Sequence, residues 1–323
     1  MTTSSAPVLA PPSPAALSRL RPTDAAGATV AISCIAITAS GVALSLSPRW
    51  WVWAVGQLLF ALSLIQWFAL LHECGHETLF RDKQLHAPLG QLAGFFTLIP
   101  FRNWKAVHRR HHKWTGWQDI DPTTEALVPR ELGRAERLIV NAAWRCWIPL
   151  FSVIYRTNNF WNWRRLETLF EKREERRALA ANMAGLLAAY VAIVALIGPA
   201  TSLRLFGAAL VITFAAEDLL ILSQHTHIPQ QLSDGEKVRP FPTIEQETFT
   251  RSLVFPRWLS AMLLHIDAHE LHHMYPFVPG YRLGEVQYET ENAVGLLAWI
   301  KGAHALPGDL LLFHNRLETG ADI

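Results

Sequence analysis

Four long apolar segments constrain the fold of this chain more than any other feature of its sequence. They cover approximately residues 27–46, 50–71, 179–199 and 203–222. Each approaches the length of about 20 apolar residues with which a helix crosses the hydrocarbon core of a bilayer. Half of the 323 residues are hydrophobic and only 17% are charged, unlike an ordinary soluble domain. The sequence therefore predicts an all-α integral membrane protein with four transmembrane helices.

The connectors within each pair of segments are very short. Residues 47–49 join the first pair and residues 200–202 join the second. Two transmembrane hairpins are therefore predicted, with the larger polar regions, residues 72–178 and 223–323, forming a helical cap on one membrane face. Residues 1–26 are rich in Pro, Ala and Ser and are predicted to be a disordered tail. Residues 27–323 are predicted to form a single domain.

The distribution of positive charge predicts which membrane face carries the cap. Lys and Arg are frequent between residues 81 and 177, whereas the two short connectors contain almost none. By the positive-inside rule, the cap and both termini are predicted to be cytoplasmic. A net charge of only +2 gives no reason to invoke nucleic acid as a partner. The three cysteines form no disulfide or metal-binding pattern.

Eight of the histidines fall into three tight clusters with the spacings HxxxH, HxxHH and HxxHH. The clusters are His72 and His76; His108, His111 and His112; and His269, His272 and His273. Residues three and four apart share a helix face, so each cluster is predicted to direct its imidazoles to one point. Isolated structural histidines would have to recur independently at eight positions. Eight imidazoles exceed the tetrahedral capacity of one structural zinc, so two metal ions are predicted.

Several residues near the fourth apolar segment extend this predicted site. His225 is predicted to be a ninth ligand, since Asp218 lies seven residues earlier on the same helix face and would orient its second ring nitrogen. Glu217 is a second outer-shell candidate, with solvation at the membrane interface as the alternative. Weaker outer-shell candidates are His227 and Asp267. Asp119 and Asp121 either orient neighbouring elements or form a turn before Pro122.

The residue types restrict the chemistry of such a centre. Catalytic zinc sites usually have three protein ligands and one open position, whereas oxygen activation requires a redox metal, and iron and copper both accept imidazole. A metal transporter is an alternative of another class, and it predicts ligands near the bilayer midplane. The histidine clusters instead lie beyond the ends of the predicted spans, on the predicted cytoplasmic side.

The clusters also resemble those of a known family. HECGH at residues 72–76, HRRHH at 108–112 and HELHH at 269–273 are similar to the three histidine boxes of the membrane fatty acid desaturase superfamily. KWTGWQDIDP at residues 113–122 and MYPFVPGYRL at 274–283 resemble the stretches behind the second and third boxes. The resemblance covers approximately residues 71–283. It is specific for the superfamily and much less so for the substrate.

This resemblance implies a non-haem diiron enzyme in which about nine histidines hold two iron ions and O2 is the co-substrate. The implied reaction introduces a cis double bond into a fatty acyl chain, with an acyl-lipid substrate favoured by the forms of the first two boxes. The apolar tunnel for that chain is predicted along the second and fourth spans and the apolar run 89–101. Hydroxylases, carotenoid ketolases and fatty acid decarboxylases of the same superfamily are alternatives.

Electrons are predicted to come from a separate protein. The sequence contains neither a Gly-rich nucleotide fingerprint nor a cysteine set for an iron–sulfur cluster. A ferredoxin or a cytochrome b5 type of donor is therefore implied. Its predicted docking surface is the basic cytoplasmic face, since charge steers the encounter with acidic carriers.

Overall fold

The computed structural model describes residues 10–323, and the fold is mostly helical. In chain order the α-helices are α1 (Asp24–Ser45), α2 (Trp50–His76), α3 (His86–Thr97), α4 (Phe101–Trp114), α5 (Arg134–Arg145), α6 (Leu150–Arg156), α7 (Trp163–Leu169), α8 (Arg173–Ile197), α9 (Pro199–His225), α10 (Arg257–Met262), α11 (His269–Met274), α12 (Gly280–Leu283), α13 (Leu296–Ala305), α14 (Gly308–Phe313) and α15 (Arg316–Thr319). Short 3-10 helices cover Lys83–Leu85, Glu125–Leu127 and Thr243–Phe249, and a π-helix covers Thr157–Trp161. Strands β1 (Leu253–Val254) and β2 (Val294–Gly295) pair in parallel, with Leu253 opposite Val294.

Helices α1, α2, α8 and α9 correspond to the four predicted spans, and each is long and apolar enough to cross a membrane. Helix α1 begins slightly earlier than predicted because the Thr23 side chain caps it, accepting a hydrogen bond from Ala26 N. The prediction misplaced the link between α8 and α9. Pro199, predicted to end the third span, is the first residue of α9, where its missing N–H costs nothing. Gly198 alone separates the two helices, with a φ of +82° that favours glycine.

Helix α2 lies at the centre of the helical fold and packs against α1, α3 and α9. Its contact with α1 is very close at Gly56, where an added Cβ would lie 2.5 Å from Ser45 N. Small residues allow this approach between apolar helices. The Gln57 amide donates to Ser45 Oγ at 2.8 Å and to Leu205 O at 2.9 Å, which joins α1, α2 and α9 by polar contacts.

Helix α8 lies at the periphery and leaves most of its apolar side chains uncovered. Leu187, Val191 and Leu196 are all more than half exposed. An exposed apolar surface of this extent is expected where a helix faces lipid. Together with the length of α1, α2 and α9, this fits an integral membrane protein.

Two shorter helical pairs complete the part of the fold that surrounds the histidines. The apolar run 89–101 divides between α3 and the start of α4, with Leu98 in the left-handed region at φ 59° between them. The second pair, Arg134–Arg145 followed by Leu150–Trp161, bends by 114°. Taken as one unit, that pair also has the length and composition of a span, which the sequence analysis did not anticipate.

The N-terminal segment differs from the predicted tail over its described part. Residues 1–9 lie outside the described residues. Leu17 and Leu20 are buried in an apolar cluster with residues of α11 and α12, including Leu271 and Leu283. The Tyr275 hydroxyl also donates to Pro12 O at 2.8 Å. Ordering this segment costs conformational entropy, and a composition rich in Pro and Ala does little to offset that cost. The burial of Leu17 and Leu20 offsets it.

Candidate metal centre

Four helices bring the histidines of the three clusters and His225 together. His72 and His76 lie in the last turns of α2, and His225 is the last residue of α9. The remaining members come from the short helix α11 and from the buried side of α4. They form two sets. The five-histidine set contains His72, His76, His108, His112 and His272, and the four-histidine set contains His111, His225, His269 and His273.

The two HxxHH clusters each divide between the sets, which corrects the expectation that each cluster points at one place. In α4, His108 and His112 join the five-histidine set and His111 joins the four-histidine set. In α11 the division is reversed, with only His272 in the five-histidine set. The reason is geometric. Adjacent helical residues point about 100° apart at 3.6 residues per turn, so neighbours such as His111 and His112 cannot face one centre.

The spacing of the ring nitrogens fits one metal ion in each set. Within each set, one nitrogen from every histidine lies within 4.8 Å of all the others. Several pairs are much closer: His76 Nε2 and His108 Nε2 are 2.8 Å apart, and His269 Nε2 and His225 Nε2 are also 2.8 Å apart. For a metal–nitrogen distance of about 2.0–2.1 Å, ligands at right angles are about 2.9 Å apart. The donor sets therefore suit imidazole-binding transition metals.

Outer residues hold the second ring nitrogen of several of these histidines. His111 Nδ1 donates to Asp121 Oδ2 at 2.7 Å, and His273 Nδ1 donates to Gln246 Oε1 at 2.9 Å. Such partners fix the tautomer so that Nε2 presents its lone pair to an ion. Asp121 thus combines the two roles that the sequence left open, because it also accepts from Thr123 N within its turn.

Glu73 is a further positioning residue that the sequence analysis missed. One carboxylate oxygen lies 3.3 Å from His72 Nδ1, and the other accepts from Gly280 N and Thr78 Oγ1, each at 2.8 Å. Glu73 therefore ties the end of α2 to the start of α12. Its place directly after His72 was the available signal. Gln246 gave no comparable signal, since it lies in a polar stretch without periodicity.

The electrostatics of the site favour neutral imidazoles. Burial lowers the pKa of five histidines of α4 and α11 well below the ordinary value, and neighbouring imidazoles lower it further. They are His108, His112, His269, His272 and His273. For Asp121, burial acts to raise the pKa, but attraction to His111 and the hydrogen bond to its ring outweigh that effect and leave it below the ordinary value. Neutral imidazole and ionised carboxylate are the forms that metal binding requires.

Asp218 and Glu217 do not contact the histidine sets, contrary to the prediction from sequence. Asp218 accepts from Ser152 N and Ser152 Oγ, each at 2.5 Å, and does not orient His225. Seven residues along a helix share a face but are separated by about 10 Å along its axis, which is too far for a hydrogen bond. Glu217 forms a buried ion pair with Arg156 instead of contacting a histidine or sitting in a polar interface.

His227 and Asp267 also lie outside the two sets. His227 contacts the C-terminal segment, with Nδ1 3.1 Å from His314 O and Nε2 2.9 Å from Thr319 Oγ1. Asp267 accepts from Ser260 Oγ at 2.7 Å. Both were proposed because they are close in sequence to histidine clusters. In each case the polar side chain forms hydrogen bonds to a nearby backbone carbonyl or hydroxyl group and not to a histidine of the two sets.

An apolar cavity of about 130 Å³ reaches the histidines from one side. Five of the histidines line it: His72, His108, His111, His225 and His269. Its walls come from Phe68 on α2, from Ile221 on α9 and, beyond the predicted linings, from Phe151, Ile154 and Tyr155 on α6. The apolar run 89–101, which was predicted to line a tunnel, packs elsewhere. The cavity offers an apolar group direct access to both histidine sets.

Replacing Asp121 by asparagine tests whether the outer residues matter to metal binding. We expect the Asp121→Asn variant to bind metal about 10–100-fold more weakly, because the neutral amide holds the His111 ring less firmly. Competition with a chelator, followed by metal analysis, measures the change. Asp119→Asn is the matched control, since Asp119 lies two residues away and accepts from Ser233 N at 3.0 Å. Equal affinities in the two variants would exclude a positioning role for Asp121.

Comparison with known proteins identifies similar sequences. A family model described as "Fatty acid desaturase" matches residues 48–298. A probable fatty acid desaturase of Sorghum bicolor is 24% identical over 273 residues, which cover 80% of this chain and 69% of the relative. An sn-1 oleoyl-lipid 12-desaturase of Picosynechococcus sp. is 25% identical over 288 residues, covering 81% and 78%. An sn-2 acyl-lipid omega-3 desaturase (ferredoxin) of Helianthus annuus is 23% identical over 267 residues, covering 77% and 56%.

Proposed function

This chain belongs to the fatty acid desaturase family, as the resemblance of its histidine boxes predicted, and from that premise we propose that it is a non-haem diiron, O2-dependent acyl-lipid desaturase. The observation that carries the proposal is the pair of all-imidazole sets whose members line an apolar cavity. The product would be a cis double bond in a fatty acyl chain. The family assignment makes the protein an oxidoreductase; the metal, the co-substrate and the lipid carrier are the proposal.

The nine histidines would hold two iron ions, and the bound iron would supply the redox chemistry that reduction of O2 requires. Asp121, Gln246 and Glu73 keep three of the imidazoles oriented. Neither set contains a carboxylate, so the carboxylates of Asp121 and Glu73 would act on the ions only through His111 and His72. Apolar cavity walls exclude bulk water from the reacting carbons.

The proposed reaction balances with one O2, two electrons and two protons from outside. Two C–H bonds on adjacent carbons break and a C=C bond forms, while O2 is reduced to two molecules of water. The protein contributes position. The aromatic and branched walls at Phe151, Ile154 and Ile221 restrict which methylene pair lies beside the histidines. A saturated chain carries no polar group near the reacting carbons, so shape must select the bond.

We also propose the two transmembrane hairpins and the cytoplasmic side that the sequence predicted. Residues 27–323 form one domain in which α1–α2 and α8–α9 are two transmembrane hairpins. His76 and His225 end α2 and α9, so both helices deliver ligands at the same membrane face. The basic character of residues 81–177 supports a cytoplasmic location for that face and for both termini. Ligands at helix ends do not support the alternative of a metal transporter, which needs them along a mid-membrane path.

Lipid profiling of a host that expresses the protein tests the proposed function. We expect a new cis-unsaturated acyl chain in the membrane lipids, detected by mass spectrometry, and none with the His111→Ala variant. The double-bond position identifies the regiochemistry. An oxygenated product would replace the proposal by a hydroxylase or ketolase, and a chain shortened by one carbon would replace it by a decarboxylase. The same product from His111→Ala would show that the assigned centre is wrong.

A separate electron donor of the ferredoxin or cytochrome b5 type is part of the proposal. The Helianthus annuus relative is named as a ferredoxin-type desaturase, which supports a small carrier protein as partner. Helix α4 supplies a suitable surface. Its buried side carries His108 and His111, while Arg109 and Lys113 on its other side are exposed. An acidic carrier bound there would lie one helix thickness from both histidine sets.

Neutralising this surface should slow reduction in a salt-dependent way. We expect the Arg109→Gln/Lys113→Gln variant to oxidise reduced ferredoxin about tenfold more slowly than the unchanged protein at low ionic strength. The difference should shrink near 1 M salt, where screening acts within about 3 Å. The matched control is Arg145→Gln/Lys301→Gln, which removes two exposed charges elsewhere. Equal rates for the two variants at low salt would argue against docking on α4.

A further inference from the structure

Helices α5 and α6 and the bend between them, residues 134–156, form the α5–α6 elbow. The elbow lies beside the cavity and also against the middle of α9, a proposed transmembrane helix. Ser152 Oγ donates to Phe214 O at 3.0 Å, and Arg156 pairs with Glu217. Phe214 is 11 residues before the end of α9 at His225, a distance of about 16 Å along the helix axis. The hydrocarbon core is about 30 Å thick. Contacts near the middle of α9 therefore place α6 at hydrocarbon depth.

The exposed side of residues 147–154, which follow the exposed Arg145, has the apolar composition expected at that depth. Trp147, Ile148, Val153 and Ile154 are 43%, 53%, 40% and 48% exposed. The polar groups of α6 point the other way, since Arg156 is buried and donates to Thr97 O at 3.0 Å. An apolar exposed side and a polar buried side are the arrangement of a helix that contacts lipid. The bend of 114° between α5 and α6 lets the chain enter this layer and return.

Ile154 belongs to both surfaces. Its side chain is about half exposed on the outer side of α6 and also lines the cavity that reaches the histidines. Asn158, one turn further along and at the start of the π-helix, likewise lines the cavity and is partly exposed. One layer of side chains thus separates the cavity from the proposed hydrocarbon. Val153 is the neighbouring exposed residue and is not part of the cavity wall.

The size of the cavity requires such an opening. About 130 Å³ is less than the roughly 300–1,000 Å³ of small-molecule sites, so the cavity holds only part of a long acyl chain. The rest of the chain must leave through the wall. An exit toward water would expose methylenes, whereas an exit past Ile154 would leave them in lipid.

We propose that the acyl chain of a membrane glycerolipid enters the cavity sideways from the bilayer, through an opening at Ile154 and Asn158 on the α5–α6 elbow. This rests on the proposed function and deepens it, because it assigns the substrate to the lipid phase and not to a soluble acyl thioester. The competing opening is the 3-10 turn Glu125–Leu127, where Ala126 is exposed and Leu127 lines the cavity.

Photolabelling in nanodiscs tests the route without turnover. The probe is a phosphatidylcholine with a diazirine in one acyl chain, and adducts are mapped by mass spectrometry. Phe68 reports entry, since it lines the cavity and is only 8% exposed. Leu187 and Val191 on α8 report surrounding lipid and should be labelled equally in every variant, which verifies folding. Labelling requires neither iron nor an electron donor.

We expect an adduct on Phe68 in the unchanged protein and about tenfold less in Ile154→Trp, because the larger ring fills the opening. Val153→Trp is the matched control and should retain the adduct, as should Leu127→Trp. Absence of the Phe68 adduct in the unchanged protein would overturn the proposal. So would its loss in Leu127→Trp with retention in Ile154→Trp, or labelling of Phe68 only by a water-soluble diazirine acyl thioester.

The outcome is separable from that of the proposed function. Labelled Phe68 in a protein that forms no double bond would leave the route intact and refute the desaturase reaction. Double-bond formation with equal Phe68 labelling in Ile154→Trp and Val153→Trp would leave the reaction intact and refute the route.

Discussion

Alanine at His108 or at His273 is expected to reduce desaturation to a small residual rate and to remove at least one of two metal ions per chain. His108 belongs to the five-histidine set and His273 to the four-histidine set, so each variant opens a different set. A catalytic metal supplies several kcal/mol of stabilisation, so we expect product formation to fall about a thousandfold or more. Metal analysis of the purified protein and product quantification measure the two effects.

The double variant distinguishes a joint centre from two independent ones. If the sets act together, His108→Ala/His273→Ala should be no less active than either single variant, since groups that act as a unit are not additive. His314→Ala is the control, because His314 is 41% exposed and pairs with Glu318 outside both sets. Full metal content and full product in either single variant would disprove the assignment of that set.

Loss of the buried pair between Arg156 and Glu217 is expected to have the largest effect on stability. Both side chains are almost fully buried, with 4% and 1% exposure, and the pair joins α6 to α9. Removing one partner leaves an uncompensated charge, which typically costs about 3–5 kcal/mol. We therefore expect Arg156→Met to lower the free energy of unfolding by about that amount, measured by denaturant titration in detergent micelles.

Two further variants isolate the charge effect. In Arg156→Met/Glu217→Met, neither charge remains, so the loss should be clearly smaller than in the single variant. Arg130→Met breaks a pair with Glu136 in which both side chains are more than 40% exposed, and we expect a much smaller loss than in Arg156→Met. If Arg156→Met proved as stable as Arg130→Met, the Arg156–Glu217 pair would not hold the elbow in place.

The long helices and the histidine sets were predictable because their signals are strong and local. Apolar length alone located the four long helices to within several residues. The histidine spacings predicted which side chains meet, and all nine chosen histidines lie in the two sets. The division of His111 from His112 was missed because face sharing was applied to whole clusters, although neighbouring positions on a helix diverge.

The surroundings of the site depend on contacts between residues distant in sequence, which local patterns do not encode. Asp218 shares a helix face with His225, yet Ser152, 66 residues away, takes its carboxylate. Gln246 reaches His273 from a segment without periodicity. The α5–α6 elbow was missed because Arg134–Arg145 has the amphipathic periodicity of a surface helix and Leu150–Arg156 is too short for a span.

The sharing of α4 and α11 between the two sets would couple the binding of the two proposed metal ions. Each helix contributes imidazoles to both sets, so an ion held by one set would also restrain histidines of the other. The first ion bound would fix both helices and would bear most of the ordering cost, and the second would then bind to a preformed site. Under metal scarcity the protein would therefore divide between empty and fully loaded chains, with few chains carrying a single ion that could react with oxygen without completing the reaction.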